Sequence, residues 1–137
     1  MSAWEFDDAQ SPGWSAEMNL ADVKVENSAM TASATGNDPA FATATDLEAA
    51  RFRSVEIRMK VDKGAGAQLF WATQSSGFTE PASVKFDLKA DGEFHVYRVN
   101  LADNPMWKSR ITGLRFDPTD AAGAQIAVDY IKFLGRG

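Results

Sequence analysis

The chain has no cysteine, and that absence removes disulfides, thiolate metal sites and cysteine nucleophiles together. A single histidine, His95, leaves no imidazole cluster for zinc and one candidate general base for a Ser-His-Asp scheme. No run approaches the ~18 consecutive apolar residues of a membrane span. The N-terminus lacks a basic region followed by an apolar run, so no signal peptide is expected, and the start near Trp4 and the Gly135-Arg136-Gly137 end read as cuts around a module. Cations are outnumbered, with 14 Lys and Arg against 19 Asp and Glu and a net charge of −5. That balance argues against nucleic acid or an anionic membrane as partners and leaves room for a local basic patch. A phosphate loop is missing too, because Gly64-Ala65-Gly66 sits in a strand-to-strand turn with no following helix.

What is present fits one folded domain spanning 1–137. The length of 137 residues is close to the ~150 of a typical domain. A chain of that size buries about two-thirds of its unfolded surface, enough for a core without staples. Its hydrophobic fraction of 45% and charged fraction of 24% are ordinary for such a domain. The aromatic inventory is less ordinary: four Trp and nine Phe against two Tyr.

Alternation with a period of two dominates the chain. Val55, Ile57, Met59 and Val61 alternate with Glu56, Arg58 and Lys60, the pattern of a half-buried strand. Lys63-Gly64-Ala65-Gly66 turns the chain, and Gln68 to Thr73 resumes it. Val84, Phe86 and Leu88 then alternate with Lys85, Asp87 and Lys89 up to Asp91-Gly92, and His95, Tyr97, Val99 and Leu101 continue beyond. An Asp-Gly pair between alternating runs predicts a hairpin. A two-residue turn there pairs Leu88 with His95, Phe86 with Tyr97 and Lys85 with Arg98. Leu114-Arg115-Phe116 ends at Asp117-Pro118, and Ile126 to Phe133 is apolar on both faces, as a central strand is. Met30, Ala32 and Ala34 alternate before a Gly36-to-Pro39 turn, and only Asp46 to Ala50 reads as a capped helical turn. Many short strands with almost no helix and no fixed repeat predict an all-β fold, a two-sheet antiparallel β-sandwich of jelly-roll type.

The order of landmarks resembles the galactose-binding-domain-like β-sandwich carbohydrate-binding modules: Trp4-Glu5-Phe6-Asp7, Gly13-Trp14, the Asp91-to-Tyr97 segment, Leu114-Arg115-Phe116-Asp117-Pro118 and Val128-Asp129-Tyr130-Ile131. The resemblance spans nearly the whole chain and rests on core and turn residues. It implies a secreted or cell-surface, non-catalytic and monomeric module of a larger enzyme, with a polysaccharide or oligosaccharide as partner. A structural accessory or protein-interaction sandwich is the alternative. It also implies a structural Ca2+ where the first and last strands meet, with Glu5, Asp7 and Asp129 in the matching places. A hard cation of this kind takes six to eight oxygens.

For a sugar site, the residues needed are flat exposed aromatics beside planar hydrogen-bonding groups. Trp4 and Trp14 read as core. Trp71 and Trp107 are candidate platforms, the first mid-strand beside Phe70 with one of the two facing outward, the second in a loop. Phe78, in the Gln74-to-Pro81 loop, is a third. Lys85 directly across from Arg98 calls for compensation, and Arg58 and Arg115 are expected to join them on one concave sheet, gripping hydroxyls, uronates or sulfates. Gln68, Gln74, Asn37 and Asn100 are lesser polar contacts. His95, on the apolar face near the turn, reads as a satisfied rim histidine. No spacing of carboxylates selects a catalytic pair, so an enzyme is not expected.

Overall fold

The alternating runs form strands in the computed structural model, which describes residues 3–6 and 13–135. In chain order they are β1 (Ala3–Glu5), β2 (Ser15–Met18), β3 (Leu20–Glu26), β4 (Ala29–Ala34), β5 (Ala40–Glu48), β6 (Phe52–Val61), β7 (Gly66–Thr73), β8 (Ser83–Asp87), β9 (His95–Asn100), β10 (Arg110–Asp117) and β11 (Gln125–Gly135). The expected helical turn is shorter and later, a 3-10 turn over Ala49–Arg51. One sheet runs β3-β4-β11-β6-β9, with β1 adding to β11 beyond the end of β4; the other runs β2-β5-β10-β7-β8. Every pairing is antiparallel. The predicted two-sheet sandwich is therefore the observed fold, and β11 is the central strand its two apolar faces announce.

The predicted hairpin is not formed. β8 pairs with β7 in the second sheet, and β9 pairs with β6 in the first, so Leu88 to Phe94 carry the chain from one sheet to the other. Lys85 lies across from Gln68, and Arg98 across from Glu56. Alternation tells which side chains point inward but not which sheet they leave from. Phe86 and Tyr97 do meet, with ring centroids 5.1 Å apart, but across the core rather than along a ladder. Gly92 still turns the chain with a positive φ of 76°, and its N–H bonds the Val61 carbonyl.

The core is an aromatic chain joining the sheets. Trp14 packs edge-on against Trp4 at 5.4 Å, Trp4 against Phe133 at 6.1 Å, Phe133 stacks on Trp107 at 5.8 Å, and Trp107 meets Trp71 edge-on at 5.0 Å. Trp71 is fully buried and Trp107 is 7% exposed, so neither is the surface platform the sequence suggested. Inward orientation at Trp71 follows from Leu69, two residues earlier on the same face. The Trp107 loop dips inward because both indoles find carbonyl acceptors: Trp71 Nε1 donates to Met106 and Trp107 Nε1 to Phe52, each at 2.9 Å. A Trp in this core is worth a large area of burial, and truncation leaves a cavity. Trp107→Ala should lower unfolding stability by ~3–5 kcal/mol in urea denaturation, with the slope unchanged.

Candidate functional site

The outer face of the second sheet gathers the candidate site. On it, register sets side chains in rows across strands. Ala42, Arg115, Phe70 and Ser83 form one row, and Asp117, Gln68 and Lys85 the next. Ala44, Gly113 and Ala72 make a third, flat row. Phe70, the residue the alternation left as alternative to Trp71, is the outward one. The Arg115 guanidinium lies 4.9 Å above the centre of its ring.

Phe78 completes the floor from above. Its loop between β7 and β8 folds back so that the ring tip lies 3.5 Å from where a Cβ on Gly113 would stand. The ring is 38% exposed, which leaves part of it open for stacking. A Cβ at 113 would meet the Phe78 ring at ordinary van der Waals distance, so the glycine leaves the floor flat without being demanded by packing. From Asp117 to Gly113 the face runs about 13 Å along β10, longer than a single pyranose ring.

At the Asp117 end the face deepens into a cleft of about 450 Å³. Four carboxylates line it, those of Asp38, Asp87, Asp117 and Asp120, against the one lining ammonium of Lys85. Arg115 is already spent among them. Its Nε and one terminal nitrogen hold Asp117 at 3.0 Å each, and that nitrogen also reaches Asp38 at 3.4 Å. On the far side Gln68 Nε2 donates to Ser83 Oγ at 2.9 Å and to the Glu80 carboxylate at 3.2 Å, while Lys85 sits 3.6 Å from Glu80. The cleft is therefore rich in acceptors and short of uncommitted cations.

Arg58 and Arg98 do not join Arg115 and Lys85. They stand on the outer face of the first sheet, at the other side of the sandwich. A bulge there leaves Asp129 without a partner on β6, so Asp129 and Tyr130 both point outward. Asp129 takes Arg58 at 2.7 Å, and Glu56 takes both Arg98, at 2.6 Å, and the Tyr130 hydroxyl, at 2.7 Å. Those two donors hold the Glu56 carboxyl below its ordinary range, and the same bond pushes the Tyr130 hydroxyl up. His95 is likewise satisfied at the rim, with Nε2 2.9 Å from Asp91. Its hydrogen bond lowers the Asp91 carboxyl.

Of the expected calcium ligands, Asp7 lies outside the described residues. Glu5 is paired with Lys132 at 3.1 Å and Asp129 with Arg58. Among the described residues no three acidic or imidazole groups converge on a point. A calcium ion reaching Glu5 and Asp129 would have to displace Lys132 and Arg58 from them.

Asp117 is the titratable group of the cleft. Burial above all, with Asp38 beside it, pushes its carboxyl up to about 6 against the downward pull of the two bonds from Arg115. The folded value lies above the ordinary one of 3.8, so the native state holds this proton more tightly. The group's contribution to stability is complete below that ordinary value and is lost as pH rises through about 6. A displacement of this size corresponds to ~3 kcal/mol. Asp117→Asn cannot titrate, so its melting midpoint should climb relative to the parent across that pH window. Thermal melts of both proteins over the window measure it, and a constant difference would contradict the assignment.

Comparison with known proteins places the fold. No protein-family profile and no curated protein sequence matches the chain. Solved structures do. A point mutant of a family 29 carbohydrate-binding module complexed with cellohexaose superposes with a TM-score of 0.66 at 16% identity, covering 98% of this chain and 94% of that one. Another mutant of that module, complexed with mannohexaose, gives 0.67 at 13% identity, with 98% and 91% covered. A low-affinity xylan-binding module from Roseburia intestinalis gives 0.64 at 11% identity, with 98% and 94% covered. Over essentially its whole length, the chain has the β-sandwich fold of carbohydrate-binding modules.

Proposed function

We propose that the chain is a non-catalytic carbohydrate-binding module that takes a neutral glycan along the outer face of its second sheet. The observation that carries this reading is the alignment on one face of an open aromatic ring, Phe78, a flat floor at Gly113, and an acceptor-rich cleft beside Arg115. Apolar C–H faces of sugar rings stack on the aromatic ring, and their hydroxyls donate to carboxylates that Arg115 and Gln68 hold in place. Four carboxylates against one ammonium disfavour a uronate or sulfate at this face. The fold shared with modules that bind cellohexaose, mannohexaose and xylan supports the same reading. In this proposal the module tethers a larger secreted enzyme to its polysaccharide. The one imidazole of the chain, His95, is tied to Asp91 at the rim of the first sheet, away from this face.

Calorimetric titration with soluble neutral glucans, mannans and xylans tests it; tryptophan fluorescence is a poor reporter, because all four indoles are buried. Phe78→Ala should weaken binding by about tenfold, the scale of one aromatic contact. Arg115→Ala should weaken it further by releasing Asp117 and Asp38, and added salt should change the parent's affinity little. Failure of every glycan to bind would favour a structural accessory domain instead. The calcium implied by the family resemblance enters the proposal as a competitor of two ion pairs. A melting midpoint raised by calcium over EDTA is the expected sign that the ion displaces Lys132 and Arg58; identical midpoints would remove it.

A further inference from the structure

The first sheet carries a cleft of its own, on the face pointing away from the proposed glycan site. About 400 Å³ in volume, it lies across β3, β4, β11 and β6. Register places Lys24, Thr31, Ala127 and Lys60 in a single row, with Thr31 and Ala127 as the floor and the two lysines as walls about 14 Å apart. Ser33 and Gln125 close one end, joined by a 3.0 Å hydrogen bond from the serine hydroxyl to the amide oxygen. A left-handed residue, Asp22 with φ of 59°, bulges β3 outward at the rim.

Here two ammoniums face two carboxylates, where the second sheet's cleft sets one ammonium against four carboxylates. Three donors are uncommitted among the described residues. Thr31 Oγ1 is buried without a hydrogen-bond partner. Lys60 forms no ion pair; its ammonium rests 5.0 Å from the Phe94 ring, a contact open to exchange for an anion. The Gln125 amide nitrogen has no acceptor, since only the oxygen of that amide is used. Lys24 is 3.1 Å from Glu26, an exposed pair of little strength. Asp22 and Glu26 at the outer edge are acceptors, suited to hydroxyl groups rather than to a second anion.

We propose that this cleft is a second binding site, for a carboxylate-bearing sugar residue of the uronate class. The carboxylate lies over Ala127 and accepts from Lys60 and Thr31, while ring hydroxyls donate to Asp22 and Glu26. Ala127 suits this role, since a larger side chain in its place would fill the floor. The two faces then sort ligands by charge: acceptors on the second sheet take hydroxyls of a neutral chain, donors on the first take an acid. The inference does not rest on the proposed function of the second sheet, because it concerns different residues on the opposite face.

Amide-resolved NMR of the whole chain, titrated separately with an oligogalacturonate and with cellohexaose, tests the proposal. The uronate should perturb Thr31, Lys60, Gln125 and Ala127, and the perturbation should fade on adding salt. Thr31→Val with Lys60→Gln should weaken uronate binding by about tenfold. That double variant should melt no lower than the parent, since it removes a hydroxyl already lacking a partner and an exposed charge. Phe78→Ala should leave uronate binding as it was. Uronate shifts confined to the second sheet, an affinity untouched by the double variant, or equal response of the first-sheet cleft to cellohexaose would each overturn the assignment. Cellohexaose failing at the second sheet would count against the proposed function alone.

Discussion

The chain of ring contacts from Trp14 through Trp4, Phe133 and Trp107 to Trp71 is the constraint on which the rest of this structure depends. Two sheets without disulfides need a thick, specific interface, and large flat rings supply both area and geometry. The contacts also join parts remote in sequence: the first strand, the last strand, and the loop before β10. Because the indoles are consumed inside, the outer faces are left to phenylalanine and to paired charges. The surplus of Trp and Phe over Tyr is mainly a property of the core; on the second sheet's outer face the open ring is Phe78, with Phe70 buried beneath its arginine.

Charge is distributed by backbone detail rather than by composition. Without the bulge at Asp129, Tyr130 and Asp129 would lie on opposite faces. With it, both point outward, and between them and Glu56 they occupy Arg58 and Arg98. Lys132 lies over the Tyr130 ring at 4.3 Å and bonds Glu5, extending the network to the first strand. The first sheet's outer face thus matches Arg58 and Arg98 to its own carboxylates, while the second keeps a surplus of acceptors around Arg115. The basic strip expected from Lys85, Arg98, Arg58 and Arg115 does not exist, because a sandwich has two outer faces and these residues are divided between them.

Much of the fold was legible from period-two alternation. Val55, Ile57, Met59 and Val61 are buried on β6, and Met30, Ala32 and Ala34 on β4. Alternation is a local record of burial, so it held wherever one face meets a core. It carries no record of partner, which is why Val84 to Leu101 read as one hairpin while belonging to two sheets. Leu20 to Glu26 escaped notice because Asp22, at positive φ, breaks the alternation at the bulge. Phe78 and Arg115, named from the sequence, do stand on the face proposed as the site, one in its polar loop and one on the outward phase of β10. Phe70 was found only as the alternative to Trp71, and Asp117 was read as a strand end.

Asp117 shows why a strand end can matter more than its neighbours. The residue stands where β10 leaves the sheet, on the outward phase set by Arg115 two positions earlier, and Pro118 ends the ladder there. An acid placed at such an end is only partly covered by strands and is closed in by the turn that carries Asp38. That turn is itself held by Asn19, whose amide donates to the Asp38 carbonyl at 3.2 Å. Covering raises the cost of the charged form, and a second carboxylate nearby raises it again. The arginine therefore favours the ionised form, and a ligand hydroxyl donating there would favour it too. Stacking on Phe78 is indifferent to pH, whereas recognition at Asp117 depends on a charge that the fold holds close to its titration point. In the proposed site, selectivity thus rests on a charge held close to its titration point, and stacking on a ring that does not titrate.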